Sequence, residues 1–221
     1  SKEPYEVKEF ELVKRLNFSY GHPWYHAGQG FLFLHTRYEE RGRSLYWMTS
    51  RDGWEWSEGQ RLARMELGHY QVTAHEGDRT ATAFNVHPEP VGLNARTDLY
   101  YLETRDLGRT WRTVEGREVA VPLREKGSRV GLVKDYRGDG RLVYLKEVAF
   151  GRDGNPVILY LTSKSHRSGA AGDPRMLHTA RWTGSKWEVR DVTATDHNYD
   201  HGGVWIEGDG TWRMIAPTEP G

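Results

Sequence analysis

The chain has 221 residues, with 31 Lys and Arg against 31 Asp and Glu, nine Trp and no Cys. The absence of cysteine excludes disulfides, thiolate metal sites and cysteine nucleophiles, and the balanced charge predicts no nucleic-acid partner, because binding a phosphate backbone needs a cationic excess. No apolar run approaches the roughly 20 residues of a membrane span, so no membrane partner is expected either. The 25 Gly and the 12% aromatic content favour short strands and tight turns, and hence an all-β domain.

One unit recurs along the chain: a strand, a glycine turn, a second strand, a polar loop, a third strand and a turn closed by Trp. The glycine turns lie at 28–30, 77–78, 152–154 and 208–210. Second strands are predicted at 31–35, 80–85, 157–161 and 212–216, and third strands at 44–48, 98–102 and 176–180. Four antiparallel strands per repeat are typical of a β-propeller blade, so the sequence predicts a β-propeller of four-stranded antiparallel blades.

The repeats predict three complete blades and part of a fourth, which breaks off at 218–221. Because closed propellers usually have 4 to 8 blades, we interpret residues 1–221 as a single β-propeller domain that is incomplete at its C-terminus. The remaining blades would then be a separate segment or chain. In the alternative interpretation, residues 5–16 supply outer strands to the last blade and close a small ring.

The turn at 104–111 reads Thr-Arg-Asp-Leu-Gly-Arg-Thr-Trp, which matches the Asp-box of bacterial neuraminidase repeats, and 50–56 is the same motif shortened by one residue. In such a turn the Asp bonds backbone amides and the Trp packs between strands, so its role is structural. Segments 68–72, 84–88, 93–97 and 196–200 resemble the BNR-4 repeat family, which is similar to propeller polysaccharide lyases of the ulvan-lyase type. The resemblance implies seven blades, β-elimination of a uronic-acid-containing polysaccharide, and a secreted or periplasmic location.

Blade topology brings the start of the first strand, the end of the second and the loop before the third to one end, with the Asp-box turns at the other. Counting eight residues back from Gly30, Gly77, Gly154 and Gly210 reaches His22, His69, Lys146 and Gly202, with His201 beside the last. Strand ends and loops add His35, Arg37, Asn85, His87, Arg96, Tyr160, Lys164 and Arg175. Since acidic groups are sparse among these positions, we expect this face to attract anions.

Eliminating across a uronic acid requires a base for the proton at C5 and a cation on the adjoining carboxylate. The resemblance implies that His69 and Tyr160 share the acid and base roles, in an order that the sequence leaves open, and that Arg175 neutralises the carboxylate. The predicted substrate-binding residues are His87, Arg96, Lys146, Lys164, Tyr199 and His201. An anionic polysaccharide or oligosaccharide is the expected partner.

Each catalytic assignment has a structural alternative. His69 could hydrogen-bond within the fold, Tyr160 could belong to the core, and Arg175 could simply pair with Asp173. His87 precedes Pro88, which favours an extended backbone and an equally plausible structural role. No cofactor is expected: residues 196–201 carry divalent-metal ligand types, including His197 and His201, but without a familiar zinc spacing, so a solvated loop is favoured over a metal site.

Two other functions remain open at this point. A sialidase-like glycoside hydrolase needs paired carboxylates or an activated Tyr, and sialidases also carry an Arg-Ile-Pro motif, which is absent here. Glu147 and Glu219 could act as acids, but nothing in the sequence pairs them. A non-catalytic sugar-binding propeller is also compatible with the aromatic content, because Trp and Tyr rings stack on sugars.

Overall fold

The computed structural model describes residues 5–217, which form sixteen strands in four antiparallel sheets. No helix in that range is long and apolar enough to cross a membrane. Blade 1 contains β1 (Ser19–His26), β2 (Gly30–Glu39), β3 (Gly42–Ser50) and β4 (Gln60–Ala63). Blade 2 contains β5 (Gln71–Glu76), β6 (Arg79–Val86), β7 (Thr97–Thr104), β8 (Trp111–Arg112), β9 (Glu118–Val119) and β10 (Leu132–Lys134). Blade 3 contains β11 (Leu142–Phe150), β12 (Pro156–Ser163), β13 (Arg175–Trp182) and β14 (Trp187–Thr195), and β15 (Gly203–Ile206) and β16 (Trp212–Ile215) follow.

The strand order within each sheet follows the chain, which confirms the predicted all-β blades. Blade 2 departs from the simple pattern, because its fourth strand β8 has two residues, β9 pairs with β8, and β10 also pairs with β7. The fourth sheet consists of β15 and β16. Residues 5–18 form no strand, so the described part of the chain lacks the ring closure considered as an alternative.

The hydrophobic core lies between the blades. Strand β6 is buried along its whole length, so its alternating side chains serve two interfaces. Phe84 and Tyr100 belong to the cluster shared with blade 1, whereas Ala83 and Tyr101 belong to the cluster shared with blade 3. Each large side chain buried in this way stabilises the fold by roughly 1.5 to 3 kcal/mol. Blades 2 and 3 are therefore packed by apolar side chains on both of their faces, and this packing holds the sheets in order.

The two Asp-box turns have the structure that their sequences predict. In the second turn the Asp106 carboxylate accepts hydrogen bonds from the Thr110 N–H at 2.9 Å and the Thr110 hydroxyl at 2.8 Å. Trp111, which is 1% exposed, packs edge-on against Trp47 of blade 1. In the first turn Asp52 accepts from two backbone N–H groups at 2.8 and 3.0 Å. These aspartates close turns and stay at the end opposite to the cleft described next.

Candidate functional site

A cleft of about 250 Å³ lies at the end of the molecule where the innermost strands begin. We call it the tyrosine–arginine cleft. It is lined by Tyr20, His22, Tyr70, Gln71, Val72, Asn85, Arg96, Tyr144, Leu145, Lys146, Tyr199 and His201. The first three sheets and the loop that leads into the fourth thus contribute, as the blade topology predicts. A cavity of similar size beside the Asp-box turns has Arg109 as its one charged lining residue and offers no acid or base pair.

Arg96 is the cation at the centre of the cleft. It follows a short 3₁₀ turn (Gly92–Ala95), and its Nε donates to the Leu93 carbonyl at 3.1 Å. One terminal nitrogen donates to the Tyr199 hydroxyl at 3.1 Å. The guanidinium lies against three tyrosine rings, 4.4 Å from that of Tyr144, 5.0 Å from that of Tyr70 and 5.6 Å from that of Tyr199. These contacts fix the guanidinium without neutralising its charge.

Tyr70 stands between two buried guanidinium groups. Its ring centroid is 4.7 Å from the Arg43 guanidinium carbon and 5.0 Å from that of Arg96. The ring of Tyr20 lies 4.5 Å away, and burial together with the neighbouring Tyr70 hydroxyl raises the pKa of Tyr20. The Tyr70 ring is therefore held between two positively charged groups.

Lys146 enters the cleft because of an irregularity in β11. Leu145 pairs with Tyr160 and Glu147 pairs with Leu159, so Lys146 is the extra residue of a β-bulge, a feature that redirects a side chain. Its Nζ donates to the Asn198 carbonyl at 3.2 Å. Burial lowers the pKa of Lys146 to about 8, with a further lowering from Arg96 and an opposing effect of Asp200. A substantial fraction of this amine is therefore neutral in mildly alkaline solution.

The cleft carries positive charge with little compensation. None of the ion pairs within residues 5–217 includes Arg43, Arg96 or Lys146. The two carboxylates nearest in sequence to the lining residues are engaged elsewhere. Glu147 accepts from the Val204 N–H at 2.6 Å, and Asp200 accepts from the Thr195 hydroxyl and the His197 N–H. The arrangement can therefore bind an anionic group.

Six of the residues that the blade topology or the resemblance assigned to this face do line the cleft. They are His22, Asn85, Arg96, Lys146, Tyr199 and His201. Burial lowers the pKa of His22, so this imidazole is neutral at neutral pH. Lys164 is exposed on the loop after β12 and is not among the residues that line the cleft.

His69 lies beneath the cleft and does not line it. The side chain is 0% exposed, its Nδ1 donates to the Asn85 carbonyl at 2.8 Å, and its Nε2 accepts from the Met65 N–H at 2.9 Å. Both ring nitrogens are thus occupied by backbone groups, and burial lowers the pKa of His69 to about 4. This geometry favours the structural alternative, in which a neutral histidine ties β5 to the preceding loop and to β6.

Tyr160 is likewise enclosed, in the core between blades 2 and 3. It is 0% exposed, its hydroxyl lies 2.6 Å from that of Tyr136, and its ring stacks on His178 at 5.3 Å. Burial raises the pKa of Tyr160 far above its usual value. The hydroxyl has a protein partner and no path to the cleft lining, which favours the core alternative for this residue as well.

Arg175 is 2% exposed, and protein acceptors take its donors. Nη1 pairs with Asp173 at 2.6 Å, and Nη2 donates to the carbonyls of Arg167 and Gly169 at 3.0 and 2.9 Å. Nε donates to the Asn198 side chain at 2.9 Å. The pairing with Asp173 considered from the sequence is therefore present, and Arg175 does not reach the cleft.

Asn198 connects Arg175 to the cleft. Its side-chain amide donates to the Tyr144 hydroxyl at 3.2 Å and to the Ser165 carbonyl at 2.8 Å, while its backbone carbonyl accepts from Lys146. Through these bonds Arg175 is linked to Tyr144 and Lys146, which line the cleft. The sequence analysis noted this asparagine only as part of the 196–200 segment.

Residues 196–201, which carry the metal-ligand types noted in the sequence, are held together by hydrogen bonds within the segment and to Thr195. Besides the bonds to Asp200, the Tyr199 N–H donates to His197 Nδ1 at 3.2 Å. Within residues 5–217 no group of three or more His, Asp or Glu is arranged to hold a metal ion.

Three tyrosines that line the cleft were not assigned to it by the sequence analysis: Tyr20, Tyr70 and Tyr144. For Tyr70 the reason is that the glycine turns differ in length and in the position of the glycine. In blade 1 the paired residues His26 and Gly30 enclose three turn residues, whereas Glu76 and Arg79 of blade 2 enclose two. Counting back from Gly77 therefore reaches a different register from counting back from Gly30. Position 69 lies seven residues before Glu76, whereas position 22 lies four residues before His26, so the two counts differ by three residues. An odd shift turns a side chain to the opposite face of a strand, and the cleft is lined by Tyr70, which precedes Glu76 by six residues as Tyr20 precedes His26.

Residues 76–195 match the model of the BNR repeat-containing family, known as BNR_4. The chain belongs to this family. The match covers blade 2 from the end of β5 and all of blade 3, including Arg96 and Lys146. No curated protein matches the BNR_4 chain.

Solved structures of polysaccharide lyases share the fold of this BNR_4 chain. A PL25 ulvan lyase, solved alone and with a bound -[GlcA(1-4)Rha3S]- oligosaccharide, aligns with a TM-score of 0.76 at 15% identity over 93% of this chain and 51% of the lyase. The polysaccharide lyase Uly1 aligns with a TM-score of 0.63 at 10% identity over 90% of this chain and 49% of Uly1. The chain thus spans about half the length of these lyases and has the fold of part of their propeller.

Proposed function

We propose that this BNR_4 chain is part of a propeller enzyme that cleaves a uronic-acid-containing polysaccharide by β-elimination in the tyrosine–arginine cleft. The observation that carries the proposal is the Arg96 guanidinium, which forms no ion pair with a described residue, beside the Lys146 amine in a cleft walled by tyrosine rings. Tyrosine faces suit sugar rings, and a guanidinium suits a carboxylate because its planar donors can bind both oxygens. The shared fold with ulvan lyases supports the same substrate class. An enzyme that acts on such a polymer would be secreted or periplasmic.

In this mechanism Arg96 binds the uronate carboxylate and stabilises the negative charge that develops on it when C5 loses its proton. The neutral Lys146 amine takes that proton, because its lowered pKa of about 8 provides a base in mildly alkaline solution. The C5–H electron pair forms the C4–C5 double bond as the C4–O bond breaks. The Tyr70 hydroxyl gives its proton to the leaving oxygen, and the products are an unsaturated uronate end and a new hydroxyl end.

These roles replace His69, Tyr160 and Arg175 by residues that line the cleft. The three earlier candidates have their polar groups bound to the protein. Arg175 keeps an indirect role, since Asn198 links it to Lys146 and Tyr144.

The test is to incubate the protein with a panel of uronic-acid polysaccharides and to follow the ultraviolet absorbance of the conjugated double bond. We expect Arg96→Gln to lower kcat/KM by about 100-fold or more, because it removes a group that stabilises developing charge. Lys146→Met should abolish product formation and keep measurable polysaccharide binding. Lys186→Met and Arg109→Gln, which change exposed cations near the turns at the opposite end, are the matched controls.

A non-catalytic sugar-binding propeller is the second candidate, favoured by the four tyrosines that line the cleft. It predicts polysaccharide binding that Arg96→Gln weakens, with no unsaturated product from any substrate. If the protein neither binds nor cleaves any uronic-acid polymer, or if Arg96→Gln changes neither property, both candidates are wrong.

A further inference from the structure

Two loops of blade 3 meet beneath the cleft at one buried residue, Asn198. It lies on the loop between β14 and β15 and is 2% exposed, whereas the next residue, Tyr199, is 54% exposed and lines the cleft. Asn198 contacts Ser165, on the loop between β12 and β13, and Arg175, the first residue of β13. The asparagine therefore joins the interior of blade 3 to the loop that carries a cleft residue.

Every polar atom of the Asn198 side chain has a protein partner. Its Oδ1 accepts from Arg175 Nε at 2.9 Å. Its Nδ2 donates to the Tyr144 hydroxyl at 3.2 Å and to the Ser165 carbonyl at 2.8 Å. Because a guanidinium only donates and a backbone carbonyl only accepts, the amide has one orientation that satisfies all three contacts. The side chain of Asn198 is thus fixed from three directions.

Arg175 anchors this asparagine to the loop before β13. Its Nη1 pairs with Asp173 at 2.6 Å, and two backbone carbonyls of the loop accept from Nη2 at 3.0 and 2.9 Å. The guanidinium is tightly enclosed, because a Cβ added at Gly172 would lie 2.2 Å from Nη2. Since both ends of the guanidinium are held, Arg175 Nε presents a fixed donor to Asn198.

The backbone of Asn198 contacts the amine that the proposed mechanism uses as its base. Its carbonyl accepts from Lys146 Nζ at 3.2 Å. An amine that donates one N–H to this carbonyl has fewer directions left for its lone pair, and a base removes a proton only when the two are within reach of each other. Asn198 also holds the Tyr144 hydroxyl, and the Tyr144 ring lies 4.4 Å from the Arg96 guanidinium. One buried residue therefore supports both the amine and the wall of the cleft beside Arg96.

The groups around Lys146 determine how its amine responds to a change at position 198. Burial has the largest effect on the pKa of Lys146 and lowers it, Asp200 raises it, and Arg96 lowers it. The other titratable side chains that line the cleft are Tyr20, His22, Tyr70, Tyr144, Tyr199 and His201. A negative charge introduced at position 198 would favour the protonated amine and so raise the pKa of Lys146.

We propose that Asn198 is a positioning residue for the elimination, which holds the Lys146 amine and the Tyr144 hydroxyl in place, and that Arg175 acts on the reaction only through Asn198. The inference rests on the proposed function, because it takes Lys146 as the base. It gives Arg175 a different role from the one that the family resemblance implies. Arg175 controls the rate of proton removal at C5 and makes no contact with the uronate carboxylate.

A double-mutant cycle in the steady-state kinetics of elimination tests whether Arg175 and Asn198 act as one unit. We expect Asn198→Ala to lower kcat by roughly tenfold or more and to leave KM within about twofold, because the base is displaced while Arg96 still binds the carboxylate. Arg175→Met should have a similar effect. The double variant should be no worse than the more severe single variant, since both substitutions break the same connection.

Two results of this cycle would overturn the inference. If the losses in kcat of the two single variants multiply in the double variant, Arg175 does not act through Asn198. If Arg175→Met raises KM more than it lowers kcat, Arg175 binds the substrate directly.

Asn198→Asp provides a second test that also serves if the other two variants fail to fold. Its carboxylate can still accept from Arg175 Nε, but it cannot donate to Tyr144 or Ser165, and its charge favours protonated Lys146. We expect the rise of kcat with pH to move upwards by about half a unit or more. Asn17→Asp, which adds the same charge at an exposed position, is the matched control and should leave the profile unchanged. An Asn198→Asp profile that coincides with that of the wild type would contradict the positioning role.

An NMR titration of the Lys146 side chain separates this inference from the proposed function, because it needs no substrate. An upward shift of the Lys146 pKa in Asn198→Asp supports the contact on which the positioning role depends. If the wild-type chain forms no unsaturated product from any polysaccharide in spite of that shift, the proposed function is refuted, and with it the role in elimination. If the wild type is active but the Asn198 variants show neither a shift nor a loss of kcat, the positioning role is refuted and the proposed function stands.

Discussion

The burial of His69 predicts that the protein loses stability in weak acid. The unfolded chain binds a proton on this imidazole near the usual pKa of 6.5, whereas the folded protein binds it only near a pKa of about 4. Because the unfolded state then binds more protons between these two values, its population rises as the pH falls through this window. One pKa unit corresponds to about 1.4 kcal/mol, so His69 alone should remove about 2 kcal/mol of folding free energy between pH 7 and pH 5.

The assay is urea denaturation at pH 7, 6 and 5, for the wild type and for His69→Gln. Glutamine can accept from the Met65 N–H and donate to the Asn85 carbonyl, as His69 does, but it does not titrate. We expect the variant to be less stable than the wild type at pH 7 and to lose about 2 kcal/mol less than the wild type on going to pH 5. His166→Gln, at an exposed position, is the control.

An unchanged pH dependence in His69→Gln would refute the assignment of His69 as a buried neutral group. Retained lyase activity in the same variant, in proportion to its folded fraction, would distinguish a structural histidine from a catalytic one. Complete loss of activity in a well-folded His69→Gln protein would instead restore the catalytic role that the family resemblance implies.

Three further predictions concern Tyr160, Asp106 and Lys146. Tyr160→Phe removes a hydroxyl bonded to Tyr136 at 2.6 Å, and we expect it to cost about 1 to 2 kcal/mol in urea denaturation while product formation stays within about twofold of wild type. A stable but inactive Tyr160→Phe protein would contradict the core assignment. Asp106→Ala deletes the acceptor of the Thr110 N–H and hydroxyl. The thermal midpoint should therefore fall by an amount equivalent to about 1 to 2 kcal/mol, while the substrate affinity stays unchanged. An unchanged midpoint would show that the turn closes without its aspartate. If Lys146 acts as the base, kcat should rise as the pH increases towards about 8, and a pH profile of the same shape in Lys146→Met would exclude it from that role.

The blades could be predicted from the sequence because their signals are local. Alternating apolar residues and glycine turns specify each hairpin, and the predicted second strands at 31–35, 80–85 and 157–161 lie within β2, β6 and β12. The Asp-box is equally local, since Asp106 bonds groups within four residues of itself. Such features form from neighbouring residues whatever surrounds them.

The end of the molecule that carries the cleft could also be predicted, because chain direction alone places the strand starts together. His22, Arg96 and Lys146 come from three different blades and still line one cleft. The β-bulge that turns Lys146 inwards was not visible in the sequence, since it depends on pairing between β11 and β12.

Which side chains face the cleft was decided by the tertiary structure. The hairpin between Glu76 and Arg79 places β5 three residues away from the register that counting back from Gly77 assumes, and an odd shift exchanges the two faces of a strand. Packing between blades then encloses His69 and Tyr160, while carbonyls of the loop before β13 and the side chain of Asn198 occupy the donors of Arg175. The sequence therefore determined the blades and the cationic residues of the face. Packing between blades decided that Tyr70 and Arg96 line the cleft and that Arg43 keeps a buried nitrogen without a protein partner, because long-range packing decides which polar atoms keep such a partner.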